Sequence, residues 1–209
     1  DYDIVYVRAL RAGDDAHKRF YTDFSAPITM EPGADLIRLR PDGSEEVLVR
    51  GGDGSITDPM VSFDGKWVYY TKIHYLKKAS QWNPPAAGAD IFKIHLETKR
   101  IVRLTNQQFA PNLGAGDWAS DFRNTARKEN RKHHFAYGVY NMGPCPLPNG
   151  RVVYTSNREG FKPSKGYPAV VLQLFVMDDR DTDLPADERH PANLEKIGHL
   201  NIAGALHPV

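Results

Sequence analysis

Alternating hydrophobic and polar residues, broken by short glycine turns, predict β-strands along most of this chain. The clearest stretch is residues 58–72, in which apolar and polar positions alternate before an Asp64-Gly65 turn. The string WVYYT that follows is aromatic and β-branched, a composition typical of a buried strand. The stretch therefore predicts a strand, a tight turn with Gly65 at positive φ, and a second strand.

Both halves of this pattern recur along the chain. Residues 143–156 repeat the strand–turn–strand pattern with Asn149-Gly150 at the turn. A hairpin pattern that begins GADLIRL at residues 33–39 recurs as GADIFKI at residues 88–94. Together the two halves define a unit of four short strands, and such units in tandem are typical of β-propeller blades.

The repeats predict an all-β fold, a β-propeller of four-stranded blades that is incomplete. We expect one domain over residues 1–209, with a first blade that lacks its first strand and with short helices only inside loops. The predicted parts are blade 1 at about residues 1–50, blade 2 at about 56–105, an insertion at 106–142, blade 3 at about 143–199, and the start of blade 4 at 200–209. Because propellers close with about four to eight blades, about three blades should not close alone, and the chain looks like part of something longer.

The long loops of this predicted propeller fall on one face. If the strands of a blade are lettered A to D from the axis outward, the B–C and D–A connections share a face. Four long segments are connections of these kinds: residues 10–33, 75–88, 106–142 and 157–170. Only the acidic segment 178–192 falls opposite. Long loops on a rigid scaffold are where sites are built, so we favour function or a subunit contact on this face over simple loop variation.

The amino-acid composition of the chain limits the kinds of function that it could have. The 209 residues are 41% hydrophobic and 25% charged, as in ordinary globular proteins, and the net charge of +1 gives no overall field for nucleic acid. One cysteine excludes an internal disulfide. No apolar run approaches the roughly 18 residues of a membrane span, and no signal peptide is visible.

Three Xaa-Pro pairs align at the predicted starts of strand A, where a blade enters the central channel. They are Asp58-Pro59, Gly143-Pro144 and His207-Pro208, with Cys145 and His74 predicted at the same face. Asp, His and Cys are ligand types for zinc or for a haem environment. Structural roles are the alternative, since Asp before Pro caps turns, a lone Cys packs as a small hydrophobe and His fills channels.

The one charge run, residues 127–134, ends in His133-His134, a candidate axial haem ligand. As a basic patch it could take an anion, an acidic partner or RNA, but a solvated loop or a subunit contact is favoured because no recognition module accompanies it. The sequence has no Cys-x-x-Cys-His for attaching a c-type haem. It also lacks a nucleophile elbow, a phosphate-binding glycine loop and His-Glu-x-x-His.

The blade pattern resembles TolB-like propellers, with the turns SFDGK at residues 62–66 and LPNGR at residues 147–151. A closer resemblance covers most of the chain. The strings VSFDGKWVYYTKIHY, GADIFKIHLETKRIVRLT, CPLPNGRVVYTSNREGF, LQLFVMD and IGHLNIAGALHPV look like the hydrazine synthase alpha-subunit family.

This resemblance implies a haem c oxidoreductase subunit of a multi-subunit complex that combines nitric oxide with ammonium to give hydrazine. It also implies an exported or organelle-lumen location, as in the anammox organelle, and a zinc ion held beside the haem by Asp and His. His74 and His207 are the first candidates for that metal, followed by Asp58 and Cys145. Cys145, His133 and His134 are candidates for the haem environment.

Two hypotheses from different classes follow. One is the haem-dependent subunit, with its site on the loop-rich face and with haem iron carrying the redox chemistry. The other is a non-catalytic TolB-like propeller that binds a partner protein across the same face. Cys-x-x-Cys-His motifs elsewhere in the protein would favour the first hypothesis.

Overall fold

A computed structural model describes residues 1–9, 32–76, 88–107, 139–158, 172–185 and 191–197, and these contain only strands and turns. The strands are β1 (Ile4–Arg8), β2 (Asp35–Leu39), β3 (Glu45–Val49), β4 (Ser55–Val61), β5 (Trp67–Ile73), β6 (Ala89–His95), β7 (Ile101–Arg103), β8 (Asn141–Pro146), β9 (Arg151–Ser156), β10 (Gln173–Asp178) and β11 (Glu195–Lys196). The predicted all-β class is confirmed. No helix in these ranges is long and apolar enough to cross a membrane.

The strands form three antiparallel sheets in chain order. Sheet 1 is β1-β2-β3, sheet 2 is β4-β5-β6-β7, and sheet 3 is β8-β9-β10-β11. Sheet 2 lies between the others, since β4 contacts β1 and β2 while β8 contacts β4, β5 and β6. Consecutive four-stranded meanders packed face to face are propeller blades, and among the described strands none fills the inner position of sheet 1. The chain is therefore an incomplete β-propeller, as the repeats predict.

The position of β5 between two sheets explains why its first four residues, WVYY, are all apolar or aromatic. Tyr69 packs toward sheet 3 in a cluster with Val152 and Phe175, whereas Val68 and Tyr70 pack in the cluster shared with sheet 1. Successive side chains of a strand point to opposite faces, so a strand covered on both faces needs apolar residues at consecutive positions. The aromatic string predicted to be buried is thus the centre of the middle blade.

Asp58-Pro59 and Gly143-Pro144 lie inside their strands, whereas the sequence predicts them at the strand starts, and His207-Pro208 lies outside the described residues. In sheet 2, Thr57 pairs with Thr71 and Met60 with Tyr69, and the two residues between, Asp58 and Pro59, form a bulge. The same shift occurs in β8 between Met142 and Cys145. Proline cannot donate to a sheet ladder, so a bulge is where a strand accepts it.

The two glycine turns have the predicted conformation. Gly65 has φ of +70° and Gly150 of +75°, and a Cβ at either position would meet no atom within 4 Å. At the first turn, Asp64 Oδ1 accepts hydrogen bonds from Ser62 Oγ at 2.6 Å and from the Lys66 backbone N–H at 3.1 Å. Backbone conformation, not space, therefore selects glycine here.

This geometry predicts a graded response at Gly65. Alanine at φ of +70° should lower the free energy of unfolding by about 1 kcal/mol, because a Cβ strains the left-handed region. Asparagine, which tolerates that region, should cost clearly less. Urea denaturation of Gly65→Ala and Gly65→Asn checks this, and equal losses for the two variants would contradict the role given to φ.

The acidic segment after β10 folds back onto sheet 2. Leu184 N–H donates to Arg103 O at 2.9 Å, and Arg103 N–H donates to Asp183 Oδ1 at 2.7 Å. These bonds occupy the outer edge of β7, which would otherwise offer unpaired backbone groups. Residues 179–185, called here the clasp, therefore join sheet 3 to the edge of sheet 2.

Candidate functional site

The stems of the long loops meet at one end of the sheets, called here the loop-bearing face. Three backbone hydrogen bonds join these stems: Gly33 N–H to Gly54 O at 2.7 Å, His74 N–H to Gly88 O at 3.1 Å, and Ala89 N–H to Val139 O at 3.0 Å. A fourth bond runs from the Tyr140 backbone N–H to the Asn157 side-chain oxygen Oδ1 at 2.7 Å. At the opposite end, Leu96 N bonds Lys66 O at 2.8 Å between the short turns. The described loop stems therefore lie at one end of the sheets and the short turns at the other end. Most residues of the long loops themselves lie outside the described ranges.

A buried carboxylate organises this face. Asp90 has a fully buried side chain whose Oδ2 lies 2.8 Å from His74 Nε2 and 2.6 Å from Arg103 Nη2. Its Oδ1 accepts from Thr105 Oγ1 at 2.6 Å and from Asn141 Nδ2 at 3.2 Å. These five residues are called here the Asp90 cluster.

Strand ends bring the Asp90 cluster together. His74 follows the last residue of β5, Asp90 is the second residue of β6, Arg103 ends β7 and Asn141 begins β8. Neighbouring antiparallel strands place these positions at the same edge. Because β8 belongs to sheet 3, the cluster also joins two blades beneath the loops.

The charge state of Asp90 is set by opposing effects. Burial raises its pKa, but the hydrogen bond from His74, the charge of Arg103 and the Thr105 hydroxyl together hold the pKa below its usual range. An ionised carboxylate can only accept, so His74 presents Nε2–H to it and keeps Nδ1 as an acceptor when neutral. A carboxylate-oriented, half-buried imidazole is an arrangement suited to a base or to a metal ligand.

Two further acceptors lie near the same strand ends. Asn141 Oδ1 and Gln107 Oε1 are buried and have no hydrogen-bond partner within the described residues. Gln107 lies beside Gly88, where an added Cβ would come within 3.0 Å of its Oε1. Beneath the loop-bearing face, two buried amide oxygens thus have no donor within the described residues.

Asp58 belongs to a different network from His74. Its Oδ2 accepts from Thr71 Oγ1 at 3.1 Å and from the Gly143 backbone N–H at 3.2 Å. It therefore links the bulge of β4 to the bulge of β8. The structure does not bring Asp58 and His74 together as a ligand pair.

Cys145 lies in β8, and no hydrogen bond among the described residues joins it to the Asp90 cluster. The Cys145 thiol is half-buried, its Sγ lies 3.8 Å from Pro146 O, and burial raises its pKa, which disfavours the thiolate that binds metals. In the described part of the chain, no group of three or more His, Cys, Asp or Glu could hold a metal. His133, His134 and His207 lie outside those residues, so the sites that involve them stay predictions.

Sequence reasoning missed Asp90, Arg103 and Asn141 as site residues. The repeated Gly-Ala-Asp triplet at residues 33–35 and 88–90 was the signal that could have found Asp90. The matching residue of sheet 1, Asp35, accepts the Gly51 backbone N–H at 2.8 Å and lies 3.5 Å from Arg50. The repeat thus marks an aspartate that fixes a strand end in both sheets.

Neither a family model nor a curated protein sequence matches the chain. Among solved structures, a protein assigned as TolB from Agrobacterium tumefaciens has a TM-score of 0.41 and 16% identity over 78% of this chain and 40% of that one. TolB from Acinetobacter baumannii has a TM-score of 0.37 and 14% identity, over 70% of this chain and 24% of that one. The tricorn protease has a TM-score of 0.44 and 12% identity, over 78% of this chain and 16% of that one. The chain spans less than half the length of each of these structures.

Proposed function

We propose that this chain is a TolB-like propeller module that binds a partner protein across its loop-bearing face. The observation that carries the proposal is the meeting of four loop stems at one end of packed sheets. Short turns occupy the other end, so the two faces differ in the surface they can offer. Loops on a rigid scaffold are a common way to build a binding surface.

The Asp90 cluster supports this function by fixing the stems. It holds the ends of β5, β6, β7 and β8 with hydrogen bonds to the fully buried Asp90 carboxylate, two of them from the partly exposed His74 and Arg103 side chains. Charge-assisted hydrogen bonds are the stronger kind, so the base of the face is held in one arrangement. A preorganised base lowers the ordering cost when loops meet a partner.

An exposed aromatic on each face allows a matched test. Tyr75, next to His74, is 38% exposed at the loop-bearing face, and Phe63, in the opposite turn, is 75% exposed. The full protein, tagged and purified from its native host, should retain a partner in stoichiometric amount by quantitative mass spectrometry. Tyr75→Asp should deplete that partner at least tenfold, whereas Phe63→Asp should retain it.

The results for the two variants show whether the partner binds the loop-bearing face or the opposite face. Loss of the partner in both variants, or only in Phe63→Asp, would overturn the assignment to the loop-bearing face. A wild-type protein that carries no partner would overturn the binding function itself. Circular dichroism of both variants is the folding control, since each substitution is at a solvent-exposed side chain.

The second candidate function is the haem-dependent, hydrazine synthase-like subunit, and the observation that favours it is the run of resembling strings along most of the sequence. Haem iron would supply electron transfer for joining nitric oxide and ammonium, other subunits would be the partners, and the location would be exported or in an organelle lumen. The described donors do not fit a metal centre as they stand. The Nδ1 of His74 is open as a ligand, but no group of three or more His, Cys, Asp or Glu in the described residues could hold a metal, and Asp58 already accepts hydrogen bonds from Thr71 and Gly143. This function therefore depends on His133, His134 and His207.

One measurement on the natively purified protein tests the second candidate. A visible spectrum with a Soret band, together with stoichiometric iron and zinc by elemental analysis, would support the oxidoreductase function. A colourless, metal-free protein that folds and retains its partner would overturn it for this chain. The partner-binding test above does not depend on either result.

A further inference from the structure

The turn between β8 and β9 contains Asn149-Gly150, which is the only Asn-Gly pair in the sequence. Both residues are exposed. Gly150 has φ of +75°, and no atom lies within 4 Å of the place where a Cβ would be. Because glycine has no side chain, its backbone nitrogen is uncrowded and its backbone can rotate. The turn therefore places a side-chain amide directly before an accessible backbone nitrogen.

The matching turn of sheet 2 holds its side chain in place, whereas this turn does not. There Asp64 Oδ1 accepts hydrogen bonds from Ser62 Oγ at 2.6 Å and from the Lys66 backbone N–H at 3.1 Å. In the aligned string LPNGR, Leu147 takes the place of Ser62 and has no hydroxyl to donate. No hydrogen bond within the described residues involves the Asn149 side chain. Its carboxamide is therefore free to change rotamer.

The backbone nitrogen of Gly150 is also held more weakly than its counterpart. Gly65 N–H donates to Ser62 O at 2.9 Å, which is an ordinary hydrogen-bond length. Gly150 N–H lies 3.3 Å from Leu147 O, beyond the usual range of about 2.7–3.2 Å. Less is lost when the Gly150 nitrogen turns toward the preceding side chain.

We propose that Asn149 is a site of spontaneous deamidation. The Gly150 backbone nitrogen attacks Asn149 Cγ, and the new N–C bond closes a five-membered succinimide ring. The Cγ–Nδ2 bond breaks, and Nδ2 leaves as ammonia with the proton that the backbone nitrogen gives up. Water then opens the ring at either carbonyl, which yields aspartate or isoaspartate. Water is the only co-reactant, and the product carries one more negative charge.

The isoaspartate product loosens the clasp, because it adds a methylene group to the backbone of this turn. Leu147 N–H donates to Arg151 O at 2.7 Å across the turn. The first amide of the clasp, Asp179 N–H, donates to Gly150 O at 2.9 Å. A longer backbone displaces both acceptors, whereas the aspartate product keeps the backbone that Asp64 has in sheet 2. The turn lies at the end opposite the loop-bearing face, so this inference goes beyond partner binding and does not rest on it.

Peptide mass spectrometry of the aged protein tests the site. The full protein is kept at mildly alkaline pH, then digested at acidic pH beside a fresh sample. The peptide with Asn149 should gain about 1 Da and separate into two species at least tenfold faster than the peptide with Asn193. Asn193 is the internal control, since it is exposed but precedes Leu194, and its Nδ2 donates to Asp178 Oδ2 at 2.6 Å. Equal rates, or no gain at Asn149, would overturn the proposal.

Hydrogen exchange tests the effect on the clasp. In the charge-shifted fraction of aged protein, isolated by ion exchange, the Asp179 amide should exchange at least tenfold faster than in fresh protein. Aged Asn149→Gln should match fresh protein, because glutamine would have to close a less favourable six-membered ring. Asn149→Asp, which adds the charge without lengthening the backbone, should also keep Asp179 protected. Unchanged exchange in the aged fraction, or equally fast exchange in Asn149→Asp, would overturn the role given to isoaspartate.

Discussion

Asp90→Ala should lower the free energy of unfolding by about 3–5 kcal/mol, the range found when one partner of a buried ion pair is removed. The substitution leaves the Arg103 guanidinium and the His74 imidazole facing a site without a counter-charge. It also frees the Thr105 hydroxyl and the Asn141 amide, both buried. Because domains are stable by only about 5–15 kcal/mol, most of the protein's stability margin is at stake. Urea denaturation followed by circular dichroism measures the loss.

Asp35 provides the matched control for this prediction. It occupies the same place in the repeated Gly-Ala-Asp triplet, but its side chain is partly exposed and its ion pair with Arg50 is 3.5 Å long. Asp35→Ala should therefore cost about 1 kcal/mol, the value of one net hydrogen bond. Equal losses at the two positions would show that the buried charge network contributes nothing beyond capping a strand end.

The pH dependence gives a second signature of Asp90. Its pKa is lowered in the folded protein, so the stabilisation is complete above the unfolded value of about 4 and is lost as the pH falls through the lower folded value. Asp90→Asn has no carboxylate to protonate at this position, so its stability should fall less between pH 5 and pH 3 than that of the wild type. Denaturation midpoints at pH 7, 5 and 3 for both proteins check this. Parallel curves would contradict the lowered pKa.

The blade pattern could be predicted because it is local in sequence. The glycine turns at Gly65 and Gly150 are set by neighbouring residues, and the alternation around them follows the two-residue period of a strand. Strands β4 and β5 accordingly flank the first turn, and strands β8 and β9 flank the second. The bulge at Asp58 was missed because a shift in register depends on how β4 pairs with β5, not on β4 alone.

The Asp90 cluster could not be predicted because its members are distant in sequence. Asn141 lies 51 positions from Asp90, and His74 lies 16 positions away across a loop. No short ligand or catalytic motif links them, and each residue type has an ordinary structural role in a propeller. Only the meeting of four strand ends at one face shows that they share one carboxylate.

Lys93→Ala should lower the free energy of unfolding by about 3 kcal/mol, which is the lower end of the range for a broken buried ion pair. The Lys93 side chain is 1% exposed, and its Nζ lies 2.9 Å from Asp179 Oδ1 and 3.0 Å from Asp181 Oδ1. The same Nζ lies 4.5 Å from the centroid of the Trp67 ring, where the aromatic face adds attraction for a cation. The lower end applies because both aspartates keep some contact with water.

Lys93 holds the clasp to sheet 2, so its loss should also be visible locally. Asp179 additionally accepts a hydrogen bond from Tyr69 Oη at 2.6 Å, and burial followed by this bond raises the pKa of Tyr69, which keeps the phenol protonated as a donor. Without Lys93 the carboxylates of Asp179 and Asp181 lose the cation they share and repel each other, and the Tyr69 hydrogen bond must hold Asp179 against that repulsion. The Leu184 and Arg103 amides, which bond across the clasp, should then exchange with deuterium at least tenfold faster.

Two variants test whether the charge of Lys93 or the packing of its side chain accounts for the stability lost in Lys93→Ala. Lys93→Met keeps the apolar stem of the side chain, so if the ion pair dominates it should recover less than half of the loss in Lys93→Ala. Lys66→Ala removes an exposed lysine 3.8 Å from Asp64 and should change stability by no more than about 0.5 kcal/mol, as surface pairs do. Full recovery by methionine, with the clasp amides still protected, would mean that the lysine stem stabilises the joint between the blades and that the ion pair with Asp179 is incidental.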